Sequence, residues 1–183
     1  MEYYGKDYNP ERGQRIYQDY IKGVALFAAW LLQHGHSLRL LIGDLAYDKR
    51  VRSDLFGLLQ ERGVLLDPEE IIDEPVASVE QLCAQLTQTD VVVATRFHNI
   101  LLALMLNKRV VALSYHGKVR SLMAGMGLEE YCQDIAGLDI ERLIRQFVNL
   151  QENADAIRPS IRHKADEYRM ALDEQYGHIF NSV

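Results

Sequence analysis

An arginine and a histidine two residues apart, Arg96 and His98, carry the clearest chemical signal in the sequence. They follow the apolar run 91–94 and precede an apolar segment with helical spacing, so they lie where a buried strand gives way to a helix. A helix start offers unpaired N–H donors and a partial positive charge, which favour a bound anion. Arg96 would clamp a phosphate or carboxylate through paired hydrogen bonds, and His98 would move protons near neutral pH.

The residues beside this pair predict how the helix begins. Thr95 is predicted to be the N-cap, with its hydroxyl accepting a bond from a helix N–H. Arg96 then falls in the first turn, where a cation is electrostatically unfavourable unless an anion lies there too. The alternative is that Arg96 pairs with a nearby aspartate such as Asp90 and that His98 is a surface histidine without a chemical role.

A second polar loop follows the next apolar run, 109–114. Ser114 and Tyr115 end that run, and a glycine and Lys118 come next, at the predicted start of another helix. Lys118 could hold a phosphate as a mobile point charge. The alternative is an exposed lysine, which is the usual fate of this side chain.

Other polar residues give weaker signals. Asp44, Asp48 and Asp54 follow an early apolar run and could orient an acceptor hydroxyl, although helix capping and solubility explain them better. No cluster has the spacing of metal ligands, so no metal site is expected. Cys83 and Cys132 lack a CxxC pattern and are expected to be reduced thiols in a cytoplasmic protein.

The elements that must position these residues alternate between helix and strand. This alternation predicts an α/β fold, a Rossmann-like parallel sheet with helices on both faces. Residues 91–94 are apolar on both faces, as in a central strand. Ligands of such sheets bind outside the carboxyl ends of the strands, so the two polar loops should share one crevice. Strands are predicted at 38–42, 71–72, 91–94 and 109–114, and helices from Asn9 to Gly35 and at 51–59, 78–88, 100–106, 119–124, 138–153 and 160–176.

Length and charge limit the classes of protein that remain. The 183 residues predict one Rossmann-like domain, 1–183, with a C-terminal helical tail from about residue 154. A net charge of −6 without a basic run argues against nucleic acid as a partner. No apolar stretch is long enough to span a bilayer, and the first residues lack the pattern of a secretory signal, so a cytoplasmic location is expected.

From Asp90 to Tyr131 the chain resembles the polysaccharide pyruvyl transferase family. The order of features is fairly specific: a strand, a T-R-x-H turn, an apolar helix, a second strand ending in S-Y, and then K-V. The resembling residues are Asp90-Val91-Val92-Val93-Ala94-Thr95-Arg96-Phe97-His98, Val110-Val111-Ala112-Leu113-Ser114-Tyr115, Lys118-Val119, Met123 and Gly127-Leu128.

This resemblance implies a fold and an activity. Family members are similar to GT-B glycosyltransferases, and this chain corresponds to their C-terminal domain. They transfer the pyruvyl group of phosphoenolpyruvate to hydroxyls of a sugar or a lipid-linked oligosaccharide in exopolysaccharide biosynthesis, forming a ketal without a cofactor. The resemblance implies a catalytic role for His98 and donor binding by Arg96, Lys118, Thr95, Ser114 and Tyr115.

One departure from the family leaves alternatives open. The N-terminal half of the family's enzymes is expected to be absent here, together with the strand that precedes the first long helix of the C-terminal half. A partner or a homo-oligomer could then supply the other wall of the cleft. The alternatives are a GT-B-type glycosyltransferase half-domain that uses a nucleotide-sugar, and a non-catalytic binding or assembly module.

Overall fold

Helices and short parallel strands alternate along residues 9–41 and 48–180, which are the residues that the computed structural model describes. The predicted α/β class is therefore confirmed. In chain order the elements are α1 (Pro10–Gln33), β1 (Leu38–Arg39), α2 (Asp48–Glu61), β2 (Ile71–Ile72), α3 (Val79–Thr87), β3 (Val91–Ala94), α4 (Phe97–Met105), β4 (Arg109–Ser114), α5 (Gly117–Gly125), β5 (Cys132–Asp134), α6 (Ile140–Glu152) and α7 (Ala154–Phe180), with 3₁₀ turns at Glu129–Tyr131 and Ile135–Gly137.

The first helix begins and ends as its sequence predicts. The side chain of Asn9 accepts bonds from the N–H groups of Glu11 and Arg12, and Pro10 occupies the first helical position. After Gln33 the chain turns at Gly35, whose φ of +77° is a conformation that glycine adopts without strain. The turn delivers the chain directly to β1.

The strands form two parallel sheets within the described residues. One contains β2 and β1, and the other has the order β3-β4-β5. Residues Val91 to Ala94 of β3 lie opposite Arg109 to Ala112 of β4. The carboxyl ends of β3 and β4 therefore reach the same edge, as predicted, and the polar loops that follow them start side by side.

The strand predictions need four corrections. β3 is an edge strand of its described sheet, and the wholly buried β4 is the central one. β5 was missed because its sequence, Cys-Gln-Asp, lacks the apolar run that marked the other strands. The single predicted sheet is divided in two, because no described strand joins β1 to β3. The described part of the first strand is also short, ending at Arg39, while Ile42 lies outside the described residues.

Helices cover the strands in two groups. Helix α1 packs against α2 and α6, whereas α4 packs against α3, α5 and α7. Both groups contact β4, through α6 on one side and through α4, α5 and α7 on the other. The prediction of helices on both faces is thus confirmed. The side chains that are almost completely buried come from both groups and from β4, among them Leu59, Leu86, Ile100, Leu104, Leu113, Met123, Leu143 and Leu150.

A glycine allows the first helix to approach the sixth. A Cβ atom at Gly23 would lie 2.8 Å from Cδ1 of Ile140 and 3.1 Å from Cδ2 of Leu138. A larger residue at this position would require the ends of the Ile140 and Leu138 side chains to move.

Several helix boundaries differ from the predictions. α4 begins at Phe97 rather than residue 100, and α5 begins at Gly117 rather than 119. The last helix begins at Ala154 rather than residue 160, so Pro159 lies within it, in its second turn. Its first turns are held in the core by the fully buried Ile161. None of the helices within residues 9–41 and 48–180 has the length and apolar character needed to cross a membrane.

Candidate active site

The turn between β3 and α4 places Arg96 at the helix start. The N–H of Ile100 donates to the carbonyl of Arg96 at 3.0 Å, so Arg96 is the N-cap residue. The predicted cap, Thr95, is wrong by one residue, because the extended backbone continues through Arg96 (φ −79°, ψ 125°). The Arg96 side chain makes no capping hydrogen bond, which leaves the N–H groups of the first turn of α4 without a bond from that side chain.

Arg96 and Thr95 line a cavity of about 230 Å³ that runs along β3 and reaches its carboxyl end. Two further arginines, Arg39 and Arg52, also line it. Arg39 bonds to Glu74, and an Nη1 atom of Arg52 lies 2.9 Å from a carboxylate oxygen of Asp73, so both of these guanidinium groups are paired with carboxylates. Most of the other lining residues are apolar, so the basic and polar side chains form only part of the wall.

The predicted alternative partner of Arg96, Asp90, lies elsewhere. Asp90 precedes β3 and Arg96 follows it, so the strand separates them. The carboxylate of Asp90 is instead 3.7 Å from the guanidinium of Arg158 and 4.0 Å from that of Arg109. Pairing with Asp90 is thus excluded as the reason for an arginine at position 96.

Asn99 is a site residue that the sequence reasoning missed. It lies in the first turn of α4, is 7% exposed, and lines the same cavity as Arg96. The available signal was a single amide within the otherwise apolar helix 97–105. A buried amide at this place adds both a donor and an acceptor to the cavity wall.

His98 lies on the rim of the site. Its side chain is exposed at the start of α4, and its ring meets the edge of the Phe97 ring with centroids 5.7 Å apart. Phe97 packs against the hydrophobic core and so anchors the turn. The imidazole is accessible to a bound molecule but does not line the 230 Å³ cavity.

The loop after β4 forms the neighbouring wall. Ser114 is 3% exposed, and its hydroxyl donates to the carbonyl of His116 at 2.9 Å and accepts from the His116 N–H at 3.3 Å. Nδ1 of His116 accepts a bond from the N–H of Lys118 at 3.2 Å and so caps α5. Ser114 therefore shapes the turn, while Tyr115 is half-buried against the core.

Lys118 is exposed in the first turn of α5, where the alternative interpretation placed it. The starts of α4 and α5 follow adjacent strands that pair in register, so Arg96, His98 and Lys118 share one edge of the sheet. Only Thr95 and Arg96 of the predicted donor-binding set line the cavity beside β3. Such an edge can neutralise an anion with two acidic groups, using the half-buried Arg96 and the exposed Lys118.

The early aspartates do not join the described site. Asp44 lies outside the described residues, and so does the side chain of Asp48 at the start of α2. Asp54 accepts a hydrogen bond of 2.5 Å from the hydroxyl of Tyr17 and thereby ties α2 to α1. Burial and the adjacent carboxylate raise the pKa of Tyr17 well above its ordinary value. Asp54 thus has a structural role, but it is a bond between two helices rather than the helix capping that was expected.

Comparison with known proteins supports the resemblance over residues 90–117 and extends it toward the N-terminus, while the resembling residues from Lys118 onward lie outside the match. None of the curated proteins compared with the chain matches it. A sequence model of the polysaccharide pyruvyl transferase family matches residues 6–117, which is more than half of the chain and runs from before α1 to the start of α5. The match includes Arg96 and His98 and ends one residue before Lys118. The chain therefore belongs to the polysaccharide pyruvyl transferase family, whose members are transferases.

Proposed function

We propose that this protein moves the pyruvyl group of phosphoenolpyruvate to hydroxyls of a polysaccharide or its lipid-linked precursor, forming a ketal. The observation that carries this assignment is Arg96 at the start of α4. A guanidinium adds positive charge to a helix N-terminus that is already positive, and the Arg96 side chain makes no capping bond there. A bound anion would offset that charge, because it would pair with both the guanidinium and the helix N–H groups.

The donor fits the charge pattern of the edge. Phosphoenolpyruvate carries a phosphate ester and a carboxylate on the same carbon. Arg96 and the first N–H groups of α4 would bind one acidic group beside Thr95, and Lys118 would reach the other from α5. Ser114 and Tyr115 would keep the second helix start in place, since Ser114 closes the turn that leads to α5.

The reaction can be written with these residues alone. A proton adds to the methylene carbon of the donor, which becomes a methyl group and leaves an oxocarbenium-like carbon beside it. One sugar hydroxyl bonds to that carbon and loses its proton, and a second hydroxyl then displaces inorganic phosphate to close the ketal. His98 is the residue that would carry these protons, and such transfers contribute about 10²–10⁴-fold in rate. No cofactor or metal takes part in this scheme.

The acceptor wall is proposed to lie on another unit. His98 and Lys118 are exposed at the edge, so a second domain or a second copy facing it could place the sugar against them. This is the arrangement of a GT-B enzyme, of which the chain would form the C-terminal domain. A cytoplasmic site of action is part of the same proposal and is supported by the two unpaired thiols of Cys83 and Cys132.

Calorimetric titration of the purified chain with phosphoenolpyruvate tests the donor site. The Arg96→Ala variant should bind the donor about tenfold more weakly or worse, which corresponds to about 1.4 kcal/mol. The His98→Ala variant should retain most of the binding while losing proton transfer. Arg145→Ala, an exposed arginine of α6 paired with Glu141, is the matched control and should bind as the unaltered chain does.

Parallel titrations separate this function from its alternatives. Tighter binding of a uridine or guanosine diphosphate sugar than of phosphoenolpyruvate would show a glycosyltransferase half-domain. Absence of binding to any of these donors, together with a stable oligomer in size-exclusion chromatography, would show an assembly module. Equal affinity of the unaltered and Arg96→Ala chains for phosphoenolpyruvate would remove Arg96 from the site.

A further inference from the structure

Asn99 carries a buried amide that the described part of the chain does not satisfy. The residue is 7% exposed, lies in the first turn of α4 and lines the same cavity of about 230 Å³ as Arg96. Its side chain takes part in none of the hydrogen bonds that form among residues 9–41 and 48–180. A buried polar group without a partner destabilises a fold, and such groups are rare in native proteins. The amide of Asn99 therefore needs an explanation.

The local bond that could explain an amide at this position is not formed. Asn99 is the third residue of α4, where a polar side chain can accept a bond from the backbone N–H of the N-cap residue. That N–H belongs to Arg96, and the side chain of Asn99 accepts no bond from it. Gln146 on α6 shows the contrast. It is also 7% exposed, but its amide donates to the carbonyl of Glu130 and accepts a bond of 2.8 Å from Gln133.

The helix places the amide of Asn99 on the same face as Arg96. Residues three apart are neighbours on a helix surface, and these two line one cavity. His98 is offset from this face and lies on the rim, outside that cavity. An acidic group bound by Arg96 and the first N–H groups of α4 would therefore lie within about one helical turn of the Asn99 amide.

The surroundings of the amide suit a hydrogen bond to an anion. The cavity wall also contains apolar side chains, among them Leu40, Val51 and Leu55. In such surroundings a hydrogen bond is stronger than in water, and its absence costs more. The amide NH₂ of Asn99 can donate to an anion without adding charge, whereas a further cation at this position would repel the guanidinium of Arg96.

We propose that Asn99 is a donor-binding residue, whose side-chain NH₂ donates a hydrogen bond to the same acidic group that Arg96 binds. This role rests on the proposed function, because phosphoenolpyruvate supplies the acidic group. The bond would hold that group at the start of α4 while Lys118 binds the other one. Because the amide is unpaired in the free chain, the protein without donor is less stable than it would be with an apolar residue at position 99.

Three variants separate binding from structure. Asn99→Leu removes the amide and keeps a side chain of similar size, while Asn99→Asp keeps the shape but replaces the NH₂ donor by an oxygen of a carboxylate. Gln146→Met is the matched control, because it removes a buried amide that is bonded at both ends. Calorimetric titration with phosphoenolpyruvate and with inorganic phosphate measures affinity. Thermal unfolding of the chain without ligand measures stability.

Affinity and stability should respond differently at the two positions. Asn99→Leu should bind phosphoenolpyruvate about tenfold more weakly, yet it should unfold at the same temperature or up to about 4 °C higher. Asn99→Asp should bind at least as weakly as Asn99→Leu, because its carboxylate repels the donor. Gln146→Met should unfold about 2–4 °C lower, since it leaves Gln133 without its partner, and should bind the donor as the unaltered chain does.

Each outcome supports or overturns the role of Asn99. Equal affinity of the unaltered and Asn99→Leu chains for phosphoenolpyruvate overturns it and leaves the proposed function intact. An Asn99→Leu chain that unfolds at a lower temperature, or does not fold, shows that the amide has a structural partner and also overturns it.

The phosphate titration distinguishes this role from the proposed function. If the unaltered chain binds inorganic phosphate but not phosphoenolpyruvate, the proposed function is wrong. A tenfold loss of phosphate affinity in Asn99→Leu would then still support Asn99 as an anion-binding residue, and an unchanged affinity would overturn that role. Binding of neither ligand overturns both proposals.

Discussion

At the scale of single residues, Arg96 stands out because its local environment disfavours it. Serine, threonine, asparagine and aspartate stabilise a helix N-cap, whereas arginine adds a positive charge to an already positive end. The remaining N-caps of α1, α3 and α6 follow the rule, with Asn9, Ser78 and Asp139 each accepting a backbone N–H. The exception, Arg96 at the start of α4, lines the cavity beside β3 and lies within the region that the family model matches.

The two cysteines should differ in reactivity. Burial raises the pKa of the Cys132 thiol, which keeps it protonated, whereas Cys83 on α3 is half-buried. Alkylation with iodoacetamide at about pH 8 should therefore label Cys83 about tenfold faster than Cys132 or more. Mass spectrometry of time points measures both rates. The Cys83→Ser variant should retain only the slow reaction, and equal rates in the native protein would contradict the burial of Cys132.

At the scale of elements, the start of α4 balances stability against binding. The helix is short, from Phe97 to Met105, and lacks a side-chain cap, yet it must hold Arg96, His98 and Asn99 at one edge. Its stability comes from the apolar face, where Ile100 and Leu104 are almost completely buried. The element can therefore tolerate an unfavourable first residue.

Replacing Arg96 by a residue that caps the helix should raise the stability of the protein and lower its affinity for the donor. Arg96→Ser supplies a hydroxyl to the first N–H groups of α4, which the Arg96 side chain does not cap, and should stabilise the protein by about 0.5–1 kcal/mol, while weakening phosphoenolpyruvate binding. Denaturant unfolding and calorimetry measure the two effects. Ser78→Ala is the control. Because it removes the cap of α3, it should lower the free energy of unfolding by about 1 kcal/mol without altering donor binding. A destabilised Arg96→Ser variant would mean that the guanidinium has a structural role.

At the scale of the whole molecule, a hydrogen bond between the first two helices gives the fold a pH dependence. Tyr17 on α1 is 8% exposed and donates to Asp54 on α2. Because the folded state raises the pKa of the phenol, ionisation is harder in the folded than in the unfolded chain. Stability from this group is fully present below about pH 10, the ordinary pKa of tyrosine, and declines as the pH rises above it.

The Tyr17→Phe variant should remove that decline. At neutral pH it should cost about 1 kcal/mol, because the Asp54 side chain is 39% exposed and water can replace the lost donor. Above about pH 10 the difference between the variant and the unaltered chain should shrink. Urea unfolding at neutral and alkaline pH measures both values. Tyr168→Phe, on the exposed part of α7, should leave the profile unchanged, and a constant difference at all pH values would exclude Tyr17 as the titrating group.

The sequence by itself determined the local features of this protein. Helix starts at Asn9, Ser78 and Asp139 follow from side chains that bond to their own backbone, so neighbouring residues suffice to predict them. The alternation of elements predicted parallel strands, and the order of polar residues after β3 and β4 identified the family. These signals are short in range and need no knowledge of what packs against them.

The tertiary structure decided the features that depend on distant contacts. The buried Asn99 in the cavity, the pairing of the polar β5 and the inclusion of Pro159 within α7 follow from neighbours far along the chain. The apolar sequence of β3 predicted a central strand, whereas among the described residues β3 pairs only with β4. Hydrophobicity records only whether a residue is buried, because burial is non-directional, whereas strand order is fixed by hydrogen bonds between particular partners.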